Sequence, residues 1–422
     1  MRWTVGSIPE TSHLIYKYAA ENCPENIWLR YKKEVGMEKV TGFIKKEAVL
    51  CIAILLALLS AWVVPPDRGY AAYIDFRTLA ILFCLMSVMA GLQNIGIFRW
   101  IARGLLDRVK SPRGLILVLM LLCFFSSMLI TNDVALLTFV PFTFTVLGLL
   151  GGEQRRRLVL PLVAMQTIAA NLGSMLTPIG NPQNLYLYGK AGMPMGDFLL
   201  LMLPYALVSL ALLLVWGVML GRRCAGAWKP GCMEGAEPFR PKEALFPLSV
   251  YLGLFLLCLL AVAHVLPWQA VLGIVLGMVL LTDRKILAKV DYGLLLTFAG
   301  FFIFIGNLGR IPAFRLFLQQ AVSGREVYAA IAASQVISNV PAALLLSGFT
   351  GQYGQLLIGV NLGGLGTLIA SMASLISYKY VAKQESGRKG KYIAIFTVSN
   401  ICFLAALVAF HVIWGILRFE RL

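Results

Sequence analysis

The chain has 422 residues, of which 59% are hydrophobic and only 14% are charged. Soluble globular domains are about half apolar and about a quarter charged, so this composition excludes an ordinary soluble protein and indicates an integral membrane protein. The formal net charge of +17 would suit a nucleic-acid partner. The basic residues instead follow membrane topology, and no nucleic acid is expected.

The N-terminal segment, residues 1–46, is polar and basic and lacks the apolar core of a signal peptide. It is predicted to be a cytoplasmic N-terminal extension. Met37 opens the stretch MEKVTGFIKKEAVL, which resembles an ordinary start before a first helix. Residues 1–36 are therefore either an extension or a stretch that precedes the natural start.

The apolar blocks that follow are about 20 residues long, the length of helices that span a bilayer. They lack the alternation of hydrophobic and polar residues that is typical of a membrane barrel. Nine spans are predicted, two of them interrupted by polar residues: Ala48–Val64, Ile74–Asn94, Leu158–Tyr188 (interrupted), Phe198–Leu220, Phe246–His264, Trp268–Thr282, Tyr292–Leu308, Tyr353–Tyr378 (interrupted) and Tyr392–Trp414.

Two further apolar stretches contain polar breaks and do not fit as single spans. Leu115–Leu150 is broken by TND at Thr131–Asp133, and Val327–Gly348 is broken by SNVP at Ser338–Pro341. Non-helical backbone is tolerated at membrane depth only where protein or a water-filled cavity satisfies it. Both stretches are therefore predicted to be re-entrant hairpins, each entering and leaving the membrane on one side.

The distribution of basic residues sets the predicted orientation. With nine spans and two re-entrant hairpins, 29 of the 37 Lys and Arg residues lie on the same side as the N-terminus. Cytoplasmic loops carry such an excess of Lys and Arg. The N-terminus is therefore predicted to be cytoplasmic and the C-terminus outside, in the inner (plasma) membrane of the cell.

The two halves of the chain share four elements in the same order. NLGSMLTPIG (Asn171–Gly180) matches NLGGLGTLIA (Asn361–Ala370) at Asn, Leu, Gly, Thr and Ile. Each segment follows a broken hairpin with Asn at its tip. Each hairpin follows a span introduced by an Asp-aromatic pair, at Asp75 and Asp291, and then a short amphipathic piece. Five crossings separate the two Asp-introduced spans, so the halves are predicted to be inverted repeats, as in many secondary transporters.

The predicted fold is an all-α polytopic membrane protein of about nine spans, with inverted repeats, two re-entrant hairpins and two unwound transmembrane helices. The first repeat is assigned to residues 47–222, with its hairpin at about 115–150. A cytoplasmic linker is assigned to residues 223–245. The second repeat is assigned to residues 246–422, with its hairpin at about 327–348.

Helices that stop inside a membrane expose their end groups there. Their N-terminal ends offer free N–H donors and partial positive charge to an anion. Glycine and proline keep the backbone open, and hydroxyl and amide side chains add uncharged donors and acceptors. The predicted substrate or ion site combines both hairpin tips with both interrupted segments: Thr131, Asn132, Asp133, Asn171, Gly173, Thr177, Pro178, Gly180, Asn181, Asn184, Ser338, Asn339, Asn361, Gly363, Gly364, Thr367 and Ser371. The competing interpretation is amides that only join packed helices, which two matching sets in inverted halves disfavour.

Asp133 is the only carboxylate clearly inside a predicted membrane element. An intramembrane acid is a functional-site candidate by default. Three roles remain open: a sodium ligand, a proton carrier, or an acid that caps the helix after the tip. Val340 holds the comparable position in the other tip, so the predicted pocket is chemically asymmetric.

The sequence carries no sign of an enzyme. None of the eight cysteines forms a CxxC pair or a Cys/His cluster with metal-ligand spacing. Neither HExxH nor GxxxxGKS/T is present. No catalytic residue, cofactor or metal centre is expected. If sodium is the coupling ion, it is expected near Asn132, Asp133 and Asn339.

Four segments together resemble a known family. They are TNDVALLTFVPF, NLGSMLTPIGNPQN, SNVPAALLL and GVNLGGLGTLIASMASLIS, and the similarity covers nearly the whole chain from about Ala48 onward. They are similar to motifs of the ion-transporter superfamily. That group includes divalent-anion/sodium symporters, citrate transporter-like permeases, arsenite permeases and one class of sodium/proton antiporters. The chain most resembles the citrate transporter-like permeases. The resemblance implies a scaffold domain and a transport domain, a homodimer and an elevator motion.

In symporters of this superfamily, Ser-Asn-Thr at both hairpin tips binds sodium and a substrate carboxylate. The tips of this chain are Thr131–Asp133 and Ser338–Val340. The resemblance assigns that role to Asn132 and Asn339, with the preceding Thr and Ser as hydroxyl partners. The third position of each tip departs from the pattern. Thr-Asn-Asp is nearer to the arsenite permease and antiporter branches, which weakens a dicarboxylate assignment.

The leading hypothesis is a secondary active permease that moves a small anion, a carboxylate or an oxyanion. Transport is expected to be coupled to Na⁺ or H⁺ by an elevator-type alternating-access mechanism. The alternative is a Na⁺/H⁺ antiporter or an arsenite efflux permease, although an antiporter favours several buried acids and the sequence offers only Asp133. The expected partners are the anionic solute, the coupling cation, the lipid bilayer and a second copy of the chain.

Overall fold

The computed structural model describes residues 47–106, 108–109, 111–148, 152–222 and 241–419. Over these ranges the chain is helical and contains no strand. The predicted N-terminal extension (residues 1–46) and residues 223–240 of the predicted linker lie outside the described residues. Their predicted positions therefore stay predictions.

The helices of the first half begin and end close to the predicted boundaries. In chain order they are α1 Ala48–Val63, α2 Tyr70–Tyr73, α3 Phe76–Ile95, α4 Ile97–Leu106, α5 Pro112–Ile130, α6 Asn132–Gly148, α7 Gly152–Ser174, α8 Pro182–Ala191 and α9 Met195–Arg222.

The helices of the second half repeat much of that order. They are α10 Pro241–Val262, α11 Trp268–Thr282, α12 Tyr292–Gly309, α13 Pro312–Val322, α14 Glu326–Ile337, α15 Asn339–Ser347, α16 Tyr353–Leu362, α17 Met372–Gln384 and α18 Lys389–Phe419. Short 3₁₀ turns, Arg284–Lys289 and Ser386–Arg388, precede α12 and α18.

Six described helices are long and apolar enough to cross a membrane, by length and composition: Phe76–Ile95, Pro112–Ile130, Met195–Arg222, Leu245–Val262, Tyr292–Gly309 and Ser386–Leu417. Five of them coincide with predicted spans, and the sixth, α5, is the first arm of a predicted hairpin. The helices α1 and α11 are apolar but shorter. The chain is therefore a multi-pass membrane protein, while the count of nine spans stays a prediction.

The helices break at the predicted residues. The interrupted segment of the first half leaves the helix after Ser174 and returns to it at Pro182. That of the second half leaves after Leu362 and returns at Met372. The first gap contains Pro178, Gly180 and Asn181, and the second contains Gly363, Gly364 and Gly366. Glycine and proline favour open backbone over helix. Each predicted hairpin leaves the helix at one residue only. In the first hairpin this is Thr131, between α5 and α6, and in the second it is Ser338, between α14 and α15.

The aspartates of the Asp-aromatic pairs, Asp75 and Asp291, are the N-cap residues of α3 and α12. Asp75 accepts a hydrogen bond from the backbone N–H of Thr78 at 3.0 Å, and Asp291 accepts one from that of Leu294 at 2.9 Å. Asp is among the preferred N-cap residues because its side chain satisfies a free N–H at the helix start. The backbone angles of the two aspartates are also nearly equal, with φ −79° and ψ 83° or 82°.

The helices pack in two groups. In the first group, α1 packs on α12, and α3 packs on α10 and α11. The axes of α1 and α12 approach closely at Gly300, where an added Cβ would lie 3.2 Å from the backbone of Ala53. The second group contains the broken helices and the two hairpins. Contacts of α3 with α8, and of α12 with α15, join the groups.

The two hairpins lie on different pieces of the broken helices. The arms of the first hairpin, α5 and α6, both pack on α7, and α6 also packs on α17. The arms of the second, α14 and α15, both pack on α16, and α15 also packs on α8. Each hairpin therefore contacts one piece of each broken helix, and this packing brings the tips to the gaps.

Candidate functional site

The two hairpin tips share an unusual backbone conformation. Thr131 has φ 68° and ψ 153°, and Ser338 has φ 73° and ψ 155°. Non-glycine residues rarely adopt these angles, which cost about 1–3 kcal/mol each and recur at functional sites. The surrounding structure must therefore hold both tips in place.

A backbone hydrogen bond fixes each tip to the gap of the broken helix in its own half. The N–H of Asn132 donates to the carbonyl of Gly180 at 3.2 Å, and the N–H of Asn339 donates to that of Ala370 at 2.9 Å. Gly180 and Ala370 are the last residues of the two matching sequence segments. The same position of the repeat therefore makes the same contact twice.

Reciprocal side-chain hydrogen bonds join the two gaps. Ser371 Oγ donates to Asn171 Oδ1 at 3.0 Å, and Asn181 Nδ2 donates to Asn361 Oδ1 at 3.2 Å. Asn181 and Ser371 are the residues before α8 and α17, where N-cap side chains usually bond the backbone. Neither side chain caps its own helix. Each reaches an asparagine in the last helical turn before the gap of the opposite half, Asn361 or Asn171.

Further amide contacts extend this arrangement to both tips. Asn132 Nδ2 donates to Asn171 Oδ1 at 3.0 Å, and Asn171 Nδ2 donates to the carbonyl of Gly364 at 3.4 Å. The amide of Asn339 lies beside Gly364, since a Cβ added there would be 3.0 Å from Asn339 Nδ2. Both tips therefore meet through Asn171 and Gly364.

A further amide contact joins α16 with α8, where Asn361 Nδ2 donates to Asn184 Oδ1 at 2.7 Å. The side chain of Asn184 in turn donates to the carbonyl of Thr177 at 3.1 Å, inside the first gap. The two asparagines are at most 2% exposed. Amides from both halves thus bridge the interrupted segments in the interior of the protein.

Two predicted site residues, Gly173 and Gly363, serve close helix packing. A Cβ added to Gly173 would lie 2.0 Å from the carbonyl oxygen of Phe124 on α5, and one on Gly363 would lie 2.6 Å from Ser334 Oγ on α14. Real Cβ atoms do not approach other atoms this closely. These glycines let each broken helix lie against the first arm of a hairpin and do not border open space.

The predicted threonines also hold hairpin arms. Thr177 Oγ1 donates a short hydrogen bond to the carbonyl of Met128, and Thr367 Oγ1 donates to that of Gln335 at 3.2 Å. Met128 and Gln335 each lie three residues before a tip. Gly180 lies against its own segment, because an added Cβ would be 2.1 Å from the carbonyl oxygen of Ser174.

Three buried polar atoms near the tips have no hydrogen-bond partner among the described residues. They are Asp133 Oδ1, Asn181 Oδ1 and Gln183 Nε2. Asp133 lies in the first turn of α6, but Asn132 Oδ1 is the atom that accepts the amide N–H of Asp133, at 2.9 Å. The interpretation of Asp133 as a capping acid therefore gains no support from a hydrogen bond. Buried polar atoms without partners are rare and require an explanation.

Two glutamines complete the region and were missed in the sequence. Gln183 follows Pro182 in the NPQN stretch and is 1% exposed. Gln335 donates to the carbonyls of Gly363 and Leu365 at 3.0 and 2.9 Å. Comparison of the repeats gives Gln335 no signal, because its counterpart is Met128. Gln183 stands within the quoted motif and could have been found there.

The chemistry of the site follows from its parts. The helices α6, α8, α15 and α17 all begin there, and each start carries a partial charge of roughly +0.5. The predicted site residues are neutral except Asp133. Such a site can hold an anion by N–H groups, hydroxyls and amides, and it can place a cation beside one carboxylate.

A cavity of about 210 Å³ reaches one tip from the protein surface. It lies between α1, α12, α15 and α17. Buried Ser338 lines its inner part, and exposed Lys379 and Asp291 line it as well. The described residues hold no group of three His, Cys, Asp or Glu side chains that could bind a metal ion.

Comparison with known proteins gives one family. The citrate transporter family model matches residues 36–352 of the chain. The inner membrane protein YbiR of Escherichia coli is 31% identical over 341 residues, which are 78% of this chain and 86% of YbiR. A protein of Methanocaldococcus jannaschii, uncharacterized transporter MJ0456, is 31% identical over 373 residues, 87% of this chain and 97% of that protein.

A more distant similarity covers a shorter part of the chain. The silicon efflux transporter LSI3 of Oryza sativa is 32% identical over 150 residues, which are 36% of this chain and 30% of LSI3. The family match and the two longer alignments agree with the helical membrane architecture and with the resemblance read from the motifs. The chain belongs to the citrate transporter family and is a membrane transporter, not an enzyme.

Proposed function

We propose that the protein is a secondary active transporter that binds a small anion, a carboxylate or an oxyanion, where both hairpin tips meet both helix gaps. The observation that carries this proposal is the reciprocal pair of bonds, Ser371 to Asn171 and Asn181 to Asn361. If the two halves only packed against each other, matching polar groups at the starts of α6, α8, α15 and α17 would have no function. A solute bound between the halves would accept or donate hydrogen bonds to these groups.

The two halves are inverted repeats with re-entrant hairpins. Three matched features support this: the tip angles, the tip-to-gap backbone bonds and the aspartate N-caps of α3 and α12. The packing supports opposite entry, because the first hairpin contacts α7 and α17 and the second contacts α16 and α8. Those are the pieces of each broken helix that the predicted topology places toward opposite faces.

Polar contacts between distant segments agree with that topology. Arg155 pairs with Glu385 at 2.9 Å, and both are predicted to be cytoplasmic. Arg310 pairs with Asp67 at 2.6 Å, and both are predicted to be outside. Each pair therefore joins residues on one predicted face, which supports the predicted topology. The cytoplasmic N-terminus and the inner (plasma) membrane are proposed from the distribution of Lys and Arg.

A coupling cation, Na⁺ or H⁺, accompanies the anion. The helix starts favour negative charge, but an ionised Asp133 repels an anion unless a proton or a cation neutralises it. Its buried Oδ1 atom has no partner among the described residues, which suits either ion. Sodium, where it is the coupling ion, binds near Asn132, Asp133 and Asn339.

Transport proceeds by an elevator motion of the hairpin group against the group of α1, α3 and α10–α12. The division of the packing into two groups supports this, and so does the cavity that links Ser338 with Lys379 on the predicted cytoplasmic side. The homodimer remains an expectation from the family resemblance.

The elevator motion is testable by a disulfide between the groups. A Cβ at Gly189 on α8 would lie 3.9 Å from Thr78 Oγ1 on α3. In the Thr78→Cys/Gly189→Cys variant, oxidation should stop uptake and a reductant should restore it. Each single variant is the control. Full uptake with a complete cross-link would exclude relative motion of the two groups.

An alternative function is a Na⁺/H⁺ antiporter or an arsenite efflux permease. The observation that favours it is the carboxylate of Asp133, whose Oδ1 atom is buried without a hydrogen-bond partner among the described residues, in place of the hydroxyl that symporters of the superfamily carry in the tip. The partial similarity to a silicon efflux transporter adds silicon compounds to the solutes that should be tested.

Uptake into proteoliposomes tests the proposal. Labelled citrate, succinate, sulfate, arsenite and silicate are supplied with an inward Na⁺ gradient, an inward H⁺ gradient or neither. Accumulation of one anion that depends on one gradient supports the proposal. Proton flux on adding Na⁺, without accumulation of any solute, would instead establish the antiporter.

A further inference from the structure

A large basic cavity lies away from the hairpin tips. It has a volume of about 1150 Å³ and lies among α7, α9, the turn Ser386–Arg388 and the start of α18. Four of its lining residues are basic, Arg156, Arg157, Arg388 and Lys391, and one, Glu153, is acidic. All five belong to segments that the predicted topology places in the cytoplasm.

The charge in this cavity is held in place and only partly neutralised. Arg388 is fixed by Glu385 at 3.3 Å and by the carbonyl of Arg156 at 2.6 Å. Arg157 pairs with Glu153 at 2.9 Å. No carboxylate among the described residues lies within ion-pair distance of the Arg156 or Lys391 side chains.

The helix start at the cavity adds to the positive potential. The first turn of α18 contains no acidic residue, so Lys391 lies at the positive end of the helix dipole, where cations are unfavourable. A Cβ added to Gly387 or Gly390 would meet no atom within 4 Å. The mouth of the cavity is therefore open and favours a bound anion.

The remaining wall is apolar. It contains Leu158, Pro161, Trp216, Leu220, Ile395 and Val398. Val398 is 61% exposed, and the exposed apolar surface continues along the same helices to Val215 on α9 and Ile401 on α18. A charged mouth above an apolar wall matches a phospholipid, with the phosphate at one end and an acyl chain at the other.

We propose that this cavity binds one anionic phospholipid, with its phosphate at Arg156, Arg388 and Lys391 and an acyl chain along Trp216 and Val398. Basic pockets between transmembrane helices on the cytoplasmic side are suited to anionic headgroups. A free phosphate ion would use the charged mouth alone and would leave the apolar wall without a role. This site does not depend on the transported solute.

Native mass spectrometry of the purified protein with dioleoyl phosphatidylglycerol tests the proposal, with dioleoyl phosphatidylcholine as the neutral lipid. Phosphatidylglycerol should bind in preference. Each of Arg156→Gln and Lys391→Gln should weaken binding about fivefold, since one basic residue near a membrane surface contributes about 1 kcal/mol. Lys389→Gln is the matched control, because Lys389 belongs to the same turn but does not line the cavity.

A second variant separates a lipid from a free ion. Val398→Trp should fill the apolar wall and weaken phosphatidylglycerol binding while leaving inorganic phosphate binding unchanged. Equal losses in Lys391→Gln and Lys389→Gln would overturn the proposal. So would equal binding of both lipids, as expected if a second copy or another part of the chain fills the cavity. If Val398→Trp leaves phosphatidylglycerol binding unchanged, the apolar wall takes no part in binding. The cavity would then be a free-phosphate site instead.

Discussion

The backbone of the first hairpin tip provides a test in which stability and transport should change in opposite directions. Thr131 adopts φ 68° and ψ 153°, a conformation that glycine adopts without strain and threonine only at a cost in energy. Its hydroxyl makes no hydrogen bond to another described residue. If the hydroxyl binds the transported solute or its coupling ion, Thr131→Gly should relieve strain and reduce transport at the same time.

The expected magnitude follows from two opposing terms. The strained conformation costs about 1–3 kcal/mol, which glycine would recover. The greater freedom of glycine in the unfolded chain costs about 0.4–1 kcal/mol. Because no internal hydrogen bond is lost, Thr131→Gly should raise the free energy of unfolding by about 0.5–2 kcal/mol.

Transport should fall about 10- to 150-fold, because a lost hydrogen bond to a charged partner costs about 1.5–3 kcal/mol. Thr131→Ala removes the hydroxyl and keeps the strain, so uptake should fall equally with a change in stability of less than about 0.5 kcal/mol. Thr131→Ser keeps both the hydroxyl and the strain and should transport like the wild type.

The assay pairs denaturation in mixed micelles with initial uptake rates in proteoliposomes. His264→Gly is the matched control, because His264 also has a positive φ, of 63°, but lies in the loop after α10. The His264→Gly variant should also gain stability from the relief of backbone strain, reduced by the loss of the ring contact between His264 and Tyr188. Its uptake should stay at the wild-type level. Wild-type uptake in Thr131→Gly, or reduced stability of that variant, would refute the reasoning.

Two further predictions concern single side chains of the site. Asn171→Ala should lower the free energy of unfolding by about 1–3 kcal/mol and abolish uptake, because it orphans the buried donors of Asn132 and Ser371. Asn400→Ala, which loses only a bond within α18, is its control in the same two assays, and equal effects of the two changes would contradict the assignment. Asp133→Asn should fold normally and lose the dependence of uptake on the Na⁺ or H⁺ gradient, whereas Asp197→Asn, at the exposed start of α9, should keep it. Unchanged cation dependence in Asp133→Asn would exclude the coupling role.

The breaks in the helices could be predicted because their polar and helix-breaking residues interrupt otherwise apolar segments. Glycine, proline and asparagine in an apolar run have few structural explanations at membrane depth. The gaps after Ser174 and Leu362 lie inside the predicted interrupted spans, and the tips lie at the predicted Thr131 and Ser338. Within the described residues, the helices otherwise begin and end within a few residues of the predicted boundaries.

The roles of individual site residues were harder to predict. Sequence identity between repeats selected Gly173, Thr177 and Thr367, which the structure shows in contact with hairpin arms. Repeat identity reports any shared constraint, and close packing is as strong a constraint as binding. Gln335 shows the converse limit of repeat comparison, because its contacts exist in one half only and leave no repeat signal.

The exchange of partners between the gaps could not be read from the sequence at all. Asn181 and Ser371 occupy positions where a capping role is the local expectation. Their side chains instead cross to the other half. That choice depends on how the two halves pack, a long-range property that no local pattern specifies.

The central claim is that two re-entrant hairpins from opposite faces meet at one site, and the sidedness of their flanks tests it most directly. Single cysteines replace Arg108 and Gly152 around the first hairpin and Ser323 and Gly351 around the second, after the eight native cysteines are replaced. A membrane-impermeant thiol reagent is applied to right-side-out and inverted vesicles. The account predicts that both flanks of the first hairpin react from the cytoplasmic side and both flanks of the second from the outside. Flanks of either hairpin that react from opposite sides would contradict it.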